Sequence, residues 1–349
     1  MHGKGKERMN KKLSRRDFLK LAGVTSAGFA LSACGVKAIE LPTATSLPTP
    51  TLTPNPTDTP QPSPTATPTP LTLRELGQRL GVVFGTISDG IDDWQNPLYR
   101  KTLGTHFNSM MTSGQILPQV IEKYEPNWDG GTQSVRKLAT EQKLILHLHP
   151  GFYPRYFPES LRNSNNAEVI SYTKERITRL LSLVNKVDEG YEPTFLNFVN
   201  EAIWSWQGKA GWYTDDEKGK NPLYRVFEKK WLSQVYTMIY EQAETMGKKI
   251  GKDLVMIYND ADLTSSYIEH SNLVLESLLT VKQEIADELK MSLESVQLDI
   301  GIQQHLSLKP EQDFPYILPP TDDDLYKTIE KFSAVGRIHL TEFDIKNTK

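Results

Sequence analysis

From Leu71 onward, short β-rich runs alternate with amphipathic helical stretches, and most of the runs end on a polar side chain. Together these features predict an α/β fold of the (β/α)8 TIM-barrel class, with seven strands present and the last α/β portion missing. Continuous apolar runs suit a parallel sheet covered on its outer face. In such a barrel the C-terminal strand ends carry the active site. A doubly wound sheet fits less well, because its ligands gather at one switch point.

The runs lie at 81–85, 105–108, 144–149, 195–200, 254–259, 296–303 and 337–341. Their polar ends are Asn108, His147, Asn200 with Glu201, Asn259, Gln303 with His305, and Glu342. Packing alone does not explain polar residues collected at one end of so many strands. Between the runs, residues 167–187 place Val169, Ile170, Ile177, Leu180, Leu181 and Val184 near helical spacing. Residues 223–246, 267–289 and 325–335 behave similarly. The last of these has Thr321 and three aspartates ahead of it, a favourable helix N-terminus.

The rest of the 349 residues are organised differently. The first twenty hold eight Lys or Arg against Glu7 and Asp17, a local charge of +6 that leaves −9 for the remainder of a chain whose total is −3. Ser14-Arg15-Arg16-Asp17-Phe18-Leu19-Lys20 precedes a modest apolar run, Leu21 to Ala33. That run is too short and too rich in small residues to span a bilayer permanently. The paired arginines match a twin-arginine export signal, so residues 1–33 are expected to be a cleaved signal. Leu31-Ser32-Ala33-Cys34 resembles a lipobox, which makes Cys34 the expected lipidation site and predicts an extracytoplasmic protein anchored to the membrane. Residues 34–41 would form the lipidated N-terminus. Residues 42–70 contain ten Pro and ten Thr with Asp58 the only charge, a composition that cannot offset its ordering entropy by burial. A polyproline II stalk of that length could reach about 90 Å. The barrel is assigned to residues 71–349.

Composition also excludes some functions. A mildly acidic body argues against nucleic acid as a partner. A single cysteine rules out an internal disulfide framework or a multi-cysteine zinc site. His106, His147, His149 and His305 lack helical His-x-x-x-His spacing, so hydrogen-bonding roles at the strand ends are expected rather than metal catalysis. Asp322-Asp323-Asp324 and Asp215-Asp216-Glu217 suit helix caps and loops better than calcium ligation. Gly130-Gly131 is expected to be a turn, not a phosphate cradle. No cofactor or metal is expected.

Two carboxylates end the chemistry-bearing strands, in Val199-Asn200-Glu201-Ala202 and Leu340-Thr341-Glu342-Phe343-Asp344. Retaining glycoside hydrolysis needs such a pair about 5–5.5 Å apart, one protonated to release the leaving oxygen and one ionised to attack the anomeric carbon. Their environments must push the two pKa values apart.

Asn200-Glu201-Ala202, Tyr258-Asn259-Asp260, Gly301-Ile302-Gln303-Gln304-His305-Leu306 and Thr341-Glu342-Phe343-Asp344-Ile345 resemble, in order, the motifs of glycoside hydrolase family 10, the endo-1,4-β-xylanases. Leu98-Tyr99-Arg100 and Phe107-Asn108-Ser109 are similar too, and the resemblance covers roughly residues 73–349. It implies that Glu201 is the acid/base and Glu342 the nucleophile. It further implies that His305 hydrogen-bonds Glu342, that Asn200 contacts the sugar 2-hydroxyl, and that Gln303 and His147 line the sugar site, with Asn108 among the substrate contacts. The family's second-strand pattern Thr-x-Glu-Asn-x-Met-Lys-Trp survives only as Thr112-Ser113-Gly114-Gln115-Ile116-Leu117-Pro118. The third-strand pattern Gly-His-x-Leu-x-Trp-His is reduced to Leu146-His147-Leu148-His149-Pro150. The chemistry pair is kept while the glycone recognition set is altered. Trp204, Trp206 and Trp212 follow Glu201 on the expected fourth βα loop, where an aromatic face can stack on a pyranose; packing within the loop is the alternative.

The expected function is therefore a monomeric, lipid-anchored retaining endo-β-1,4-glycanase acting on xylan-type polysaccharide. The alternatives are a related clan β-glycanase on another plant polysaccharide and a non-catalytic carbohydrate-binding lipoprotein. Because the sequence stops five residues after Asp344, before an eighth strand, an incomplete barrel of poor stability and activity is expected; a cooperative melt with ordinary turnover would count against it.

Overall fold

The computed structural model describes residues 70–88, 95–112, 128–206, 209–214, 221–261, 263–264, 268–307 and 321–346. The signal segment, Cys34, the stalk up to residue 69, residues 113–118 of the altered second-strand motif and the Asp215-Asp216-Glu217 loop lie outside them.

Seven strands form one all-parallel sheet: β1 (Gly85–Ser88), β2 (Ser109–Thr112), β3 (Ile145–Leu148), β4 (Thr194–Asn200), β7 (Leu254–Asp260), β8 (Asp299–Ser307) and β9 (Ile338–Lys346). They pair in that order, so each strand lies beside the next one along the chain. An antiparallel hairpin, β5 (Ile203–Trp206) with β6 (Lys209–Trp212), is inserted after β4 and stands apart from the sheet. The curled parallel sheet with helices between its strands is the TIM-barrel-like arrangement expected.

The helices that cover the sheet follow local rules. Helix α1 (Leu73–Leu80) starts on a reciprocal Thr72–Glu75 capping box and stops at Gly81, which takes the left-handed conformation at φ 67°. Helix α2 (Pro97–His106) has Asn96 as its cap and Pro97 in its first turn. Helix α3 (Trp128–Gln142) follows, and helix α4 (Asn166–Ser182) opens on an Asn165–Glu168 capping box and buries Val169, Ile177, Leu180 and Leu181. Helices α5 (Trp231–Thr245), α6 (Ile268–Leu289) and α7 (Asp322–Phe332) complete the set. Thr321 caps α7 by accepting from the Asp324 N–H, as its sequence suggests. Fully buried Leu148, Leu196, Phe198, Met256 and Ile300 from the sheet meet Ile177, Trp231, Val235 and Leu278 from the helices. Each such side chain contributes about 1.5–3 kcal/mol by leaving water.

Four expectations need correction. The run at 81–85 is mostly the exit from α1, where the Val82 N–H closes on Gly77 O at 2.9 Å, and it shares only Gly85 with β1. The run at 105–108 is not a strand: helix α2 continues to His106, and β2 begins only at Ser109. Thr105 and His106 finish the helix, with the Thr105 hydroxyl donating to Lys101 O at 2.7 Å and the Phe107 N–H closing on Leu103 O at 3.0 Å. Gly130-Gly131 lies within α3 rather than in a turn, the helix being held to the sheet by Val135, Leu138 and Ala139 downstream. The helix expected over 223–246 is broken. A short piece, Pro222–Phe227, ends where Glu228 takes φ 50°, and α5 begins afresh at Trp231. Tertiary bonds hold that short piece, since Arg225 donates to the carbonyls of Arg162 at 2.7 Å and Ser164 at 2.8 Å.

Candidate active site

Two register shifts aim the site. One interrupts the β4–β7 pairing between Asn197 and Val199, just before Asn200 and Glu201. The other interrupts β8–β9 between Ile302 and Gln303, where Gln303 comes opposite Glu342. Bulges of this kind re-aim side chains and recur beside functional sites.

Glu201 follows β4 in a left-handed conformation, φ 47°, that an L-residue with a long side chain seldom adopts. Its N–H donates to Asn259 O at 2.8 Å, which locks the turn. Its Oε2 accepts from the Tyr153 hydroxyl. Its Oε1 accepts from Gln303 Nε2 at 3.2 Å and from Asn200 Nδ2 at 3.4 Å. Burial raises the carboxyl above the ordinary glutamate range, and the nearby Asp260 adds to that. The bonds from Tyr153 and Gln303 and the charge of Arg155 offset only part of it.

Glu342, in β9, has the opposite surroundings. Burial again pushes its carboxyl up, but His305, His149 and Asn259 together outweigh burial and hold it below the ordinary range. Asn259 Nδ2 donates to Oε1 at 2.8 Å, His149 Nε2 faces Oε1 at 3.7 Å and His305 Nε2 faces Oε2 at 3.5 Å. The Asn259 amide also donates to Asn200 Oδ1 at 2.7 Å and accepts from the Thr341 hydroxyl. Gln303 Nε2 reaches the same Asn200 oxygen at 3.1 Å. A continuous run of side-chain amides thus joins the two carboxylates.

Behind Glu342 stands a buried pair of imidazoles. Asn197 bridges them, its Oδ1 2.8 Å from His147 Nε2 and its Nδ2 2.8 Å from His149 Nδ1. Burial pushes His147 down to about 3 and His149 down as well, so both rings are neutral near pH 7. Because the Asn197 amide donates to His149 Nδ1, the proton of that ring sits on Nε2 and faces Glu342.

Of the residues predicted from sequence, Asn200, Gln303 and His305 join the carboxylates directly. His147 reaches them only through Asn197 and His149. Asn108 does not reach them: it precedes β2, at the opposite end of the strands, where its N–H donates to Phe84 O at 2.7 Å. Its expected place rested on the misread strand. Trp204 and Trp212 lie in the connection from β4 to the following helix, where they form part of the β5–β6 hairpin. Trp204 Nε1 donates to Trp212 O at 3.0 Å, and its indole lies against Gly211. Trp212 meets Trp231 edge-on at 6.4 Å. Trp206 has its backbone in the hairpin, but its side chain lies outside the described residues. Sequence reasoning missed the contacts of Tyr153, His149, Asn197 and Asn259. Of these, Asn259 and His149 carried a strand-end signal, His149 as the last residue of the run at 144–149. Among the described residues no cluster of three His, Cys, Asp or Glu is placed to hold a metal ion.

A buried carboxyl whose pKa is raised, beside one whose pKa is lowered, suits a proton donor paired with a nucleophile for an electrophilic carbon. The family model described as Glycosyl hydrolase family 10 matches residues 72–349. Xylanase 10B from Thermotoga maritima is 19% identical over 79% of this chain and 74% of that one, with a TM-score of 0.57. Xylanase 10B from Thermotoga petrophila RKU-1, solved in complex with xylobiose, is 18% identical over 81% and 77%, with a TM-score of 0.58. A xylanase from Bispora sp. MEY-1, also with xylobiose, is 14% identical over 78% and 75%, with a TM-score of 0.59. At these identities the likeness carries the fold. Among curated proteins none matches the chain by sequence.

Proposed function

The chain belongs to glycosyl hydrolase family 10, and on that premise we propose that it is a retaining endo-β-1,4-glycanase that cleaves xylan-type polysaccharide by double displacement. Glu201 serves as acid/base and Glu342 as nucleophile. The observation that supports this best is the opposed setting of the two carboxyls, Glu201 raised and Glu342 lowered.

In the first step Glu342 attacks the anomeric carbon while Glu201 protonates the departing oxygen; in the second, Glu201 accepts a proton from the water that releases the sugar. Asn259, His149 and His305 keep Glu342 ionised and oriented. Xylan is the first substrate to try, since solved neighbours of this fold are xylanases, two of them holding xylobiose. Lipid anchoring at Cys34, export by the twin-arginine route and a stalk through residue 70 form part of the same proposal.

The test is hydrolysis of a panel of β-linked polysaccharides, with the configuration of the fresh reducing end followed by proton NMR. Retention and a fall of about 10²–10⁴-fold in kcat/KM for Glu201→Gln are expected, with activity abolished in Glu342→Gln. Inversion, or undiminished turnover in Glu342→Gln, would sink the proposal; a preference for another β-glycan would move only the substrate.

A further inference from the structure

The two carboxyl oxygens of Glu201 have unlike partners. Among the described residues, Oε1 faces amide N–H groups from Gln303 and Asn200, whereas Oε2 faces the hydroxyl of Tyr153. An amide N–H can only donate; a phenol hydroxyl both donates and accepts. A proton on Oε1 would point at donors, while a proton on Oε2 finds a lone pair.

We propose that Tyr153 is a positioning residue that fixes the exchangeable proton of Glu201 on Oε2, accepting from the acid and donating back to the carboxylate. This rests on the reading of Glu201 as acid/base. In the first step the proton moves from Oε2 to the glycosidic oxygen as the C–O bond breaks, and that oxygen keeps the bonding pair. The Tyr153 O–H then turns to donate to Oε2 and retains its own proton throughout. In the second step water loses a proton to Oε2 while its oxygen bonds the anomeric carbon and the bond to Glu342 breaks.

The surroundings suit that role. Tyr153 immediately precedes a one-turn 3-10 helix, Pro154–Tyr156, shortly after β3, and its ring meets Tyr156 at 4.7 Å. Burial and the Glu201 carboxylate push its phenol well up, so it does not ionise. Arg155, from the same turn, donates to the Tyr213 hydroxyl and lies 5.1 Å above that ring. The other ionisable groups acting on Glu201 are Asp260 at the end of β7 and Tyr213 after β6, while Glu342 with His149 and His305 lies across the amide run.

The experiment is a carboxyl titration by 13C NMR on the full chain, with Glu201→Gln identifying the resonance. In Tyr153→Phe the carboxylate loses a donor, so the Glu201 titration should rise by about one unit and the basic limb of kcat/KM should follow. Placing 3-fluorotyrosine at 153 strengthens the donor with almost no change of shape and should move both downward, which keeps the test alive if the phenylalanine variant folds badly. A merely structural role moves neither. A Glu201 titration indifferent to both changes overturns the proposal whatever the activity. Wild-type hydrolysis of unactivated glycosides by Glu201→Gln overturns the acid/base reading beneath it.

Discussion

Ionising Glu201 costs more inside the fold than outside it, because burial raises its carboxyl. The stability it contributes is full below the unfolded pKa, about 4.3, and is lost as pH rises through the higher folded value. Glu342 has the opposite sign: its folded value is lowered, so its contribution is present above the unfolded pKa and is lost as pH falls through the folded one. Two opposed shifts in melting temperature are therefore expected. Near pH 7, Glu201→Gln should melt above wild type and Glu342→Gln below it, and both gaps should close in acid. Calorimetric melts from about pH 3 to about 8 check this; two gaps of the same sign would contradict it. The pair itself was legible in the sequence, because each glutamate ends an apolar run. Tyr153 was not, because it lies beyond β3, where no alternation marks which side chains turn inward, and His149 was legible as a strand-end histidine but not as a partner of Glu342. Asn108 misled because Thr105-His106-Phe107-Asn108 is too short to tell a helix end from a strand end.

Strand β8 shows how little room the site's supports have. A Cβ on Gly301 would come within 2.4 Å of Asn259 Oδ1, 2.7 Å of Thr341 Cγ2 and 3.0 Å of Ile257 Cγ2. Asn259 is the residue that donates to Glu342. Gly301→Ala should therefore cost about 1–3 kcal/mol of stability and lower kcat as well, because the clash falls on the amide that orients Glu342. Urea denaturation and steady-state kinetics on the one variant test both; a stability loss with unchanged kcat would separate packing from the site. At this scale the sequence spoke clearly where chemistry is local. The Asn165–Glu168 box and the Thr321 cap mark their helices by residue type. The break at Glu228 is silent, since Arg225 and its distant carbonyl partners create it. The hairpin after β4 is silent too: Trp-rich sequence serves a loop or a strand equally, and the cross-strand bond from Trp204 decides.

For the whole molecule, the proposed anchor makes a claim independent of catalysis. Cys34→Ser should shift the protein from the membrane fraction to the soluble extracytoplasmic fraction while xylan hydrolysis per molecule stays the same. A protein already soluble in wild type would remove the anchor and leave the enzyme reading intact. The parallel sheet was legible because its inner strands β2, β3, β4 and β7 are buried almost throughout and hence largely apolar. Its registers were not, because the two shifts beside Asn197 and Ile302 arise in pairing between strands, which the pattern within one strand does not reveal.

The order of that sheet has a kinetic consequence. Each parallel strand pairs with the one that preceded it, and, among the described residues, β5 and β6 pair only with each other. Loop closure between neighbouring strands therefore spans one connection at a time, the one from β4 to β7 holding the hairpin, the short helix at Pro222–Phe227 and α5. As the ribosome delivers the chain, every new strand meets an edge that has already formed, so assembly can run from the N-terminus forward. Glu201 is then set in place well before Glu342, and the two carboxylates come together only when β9 docks.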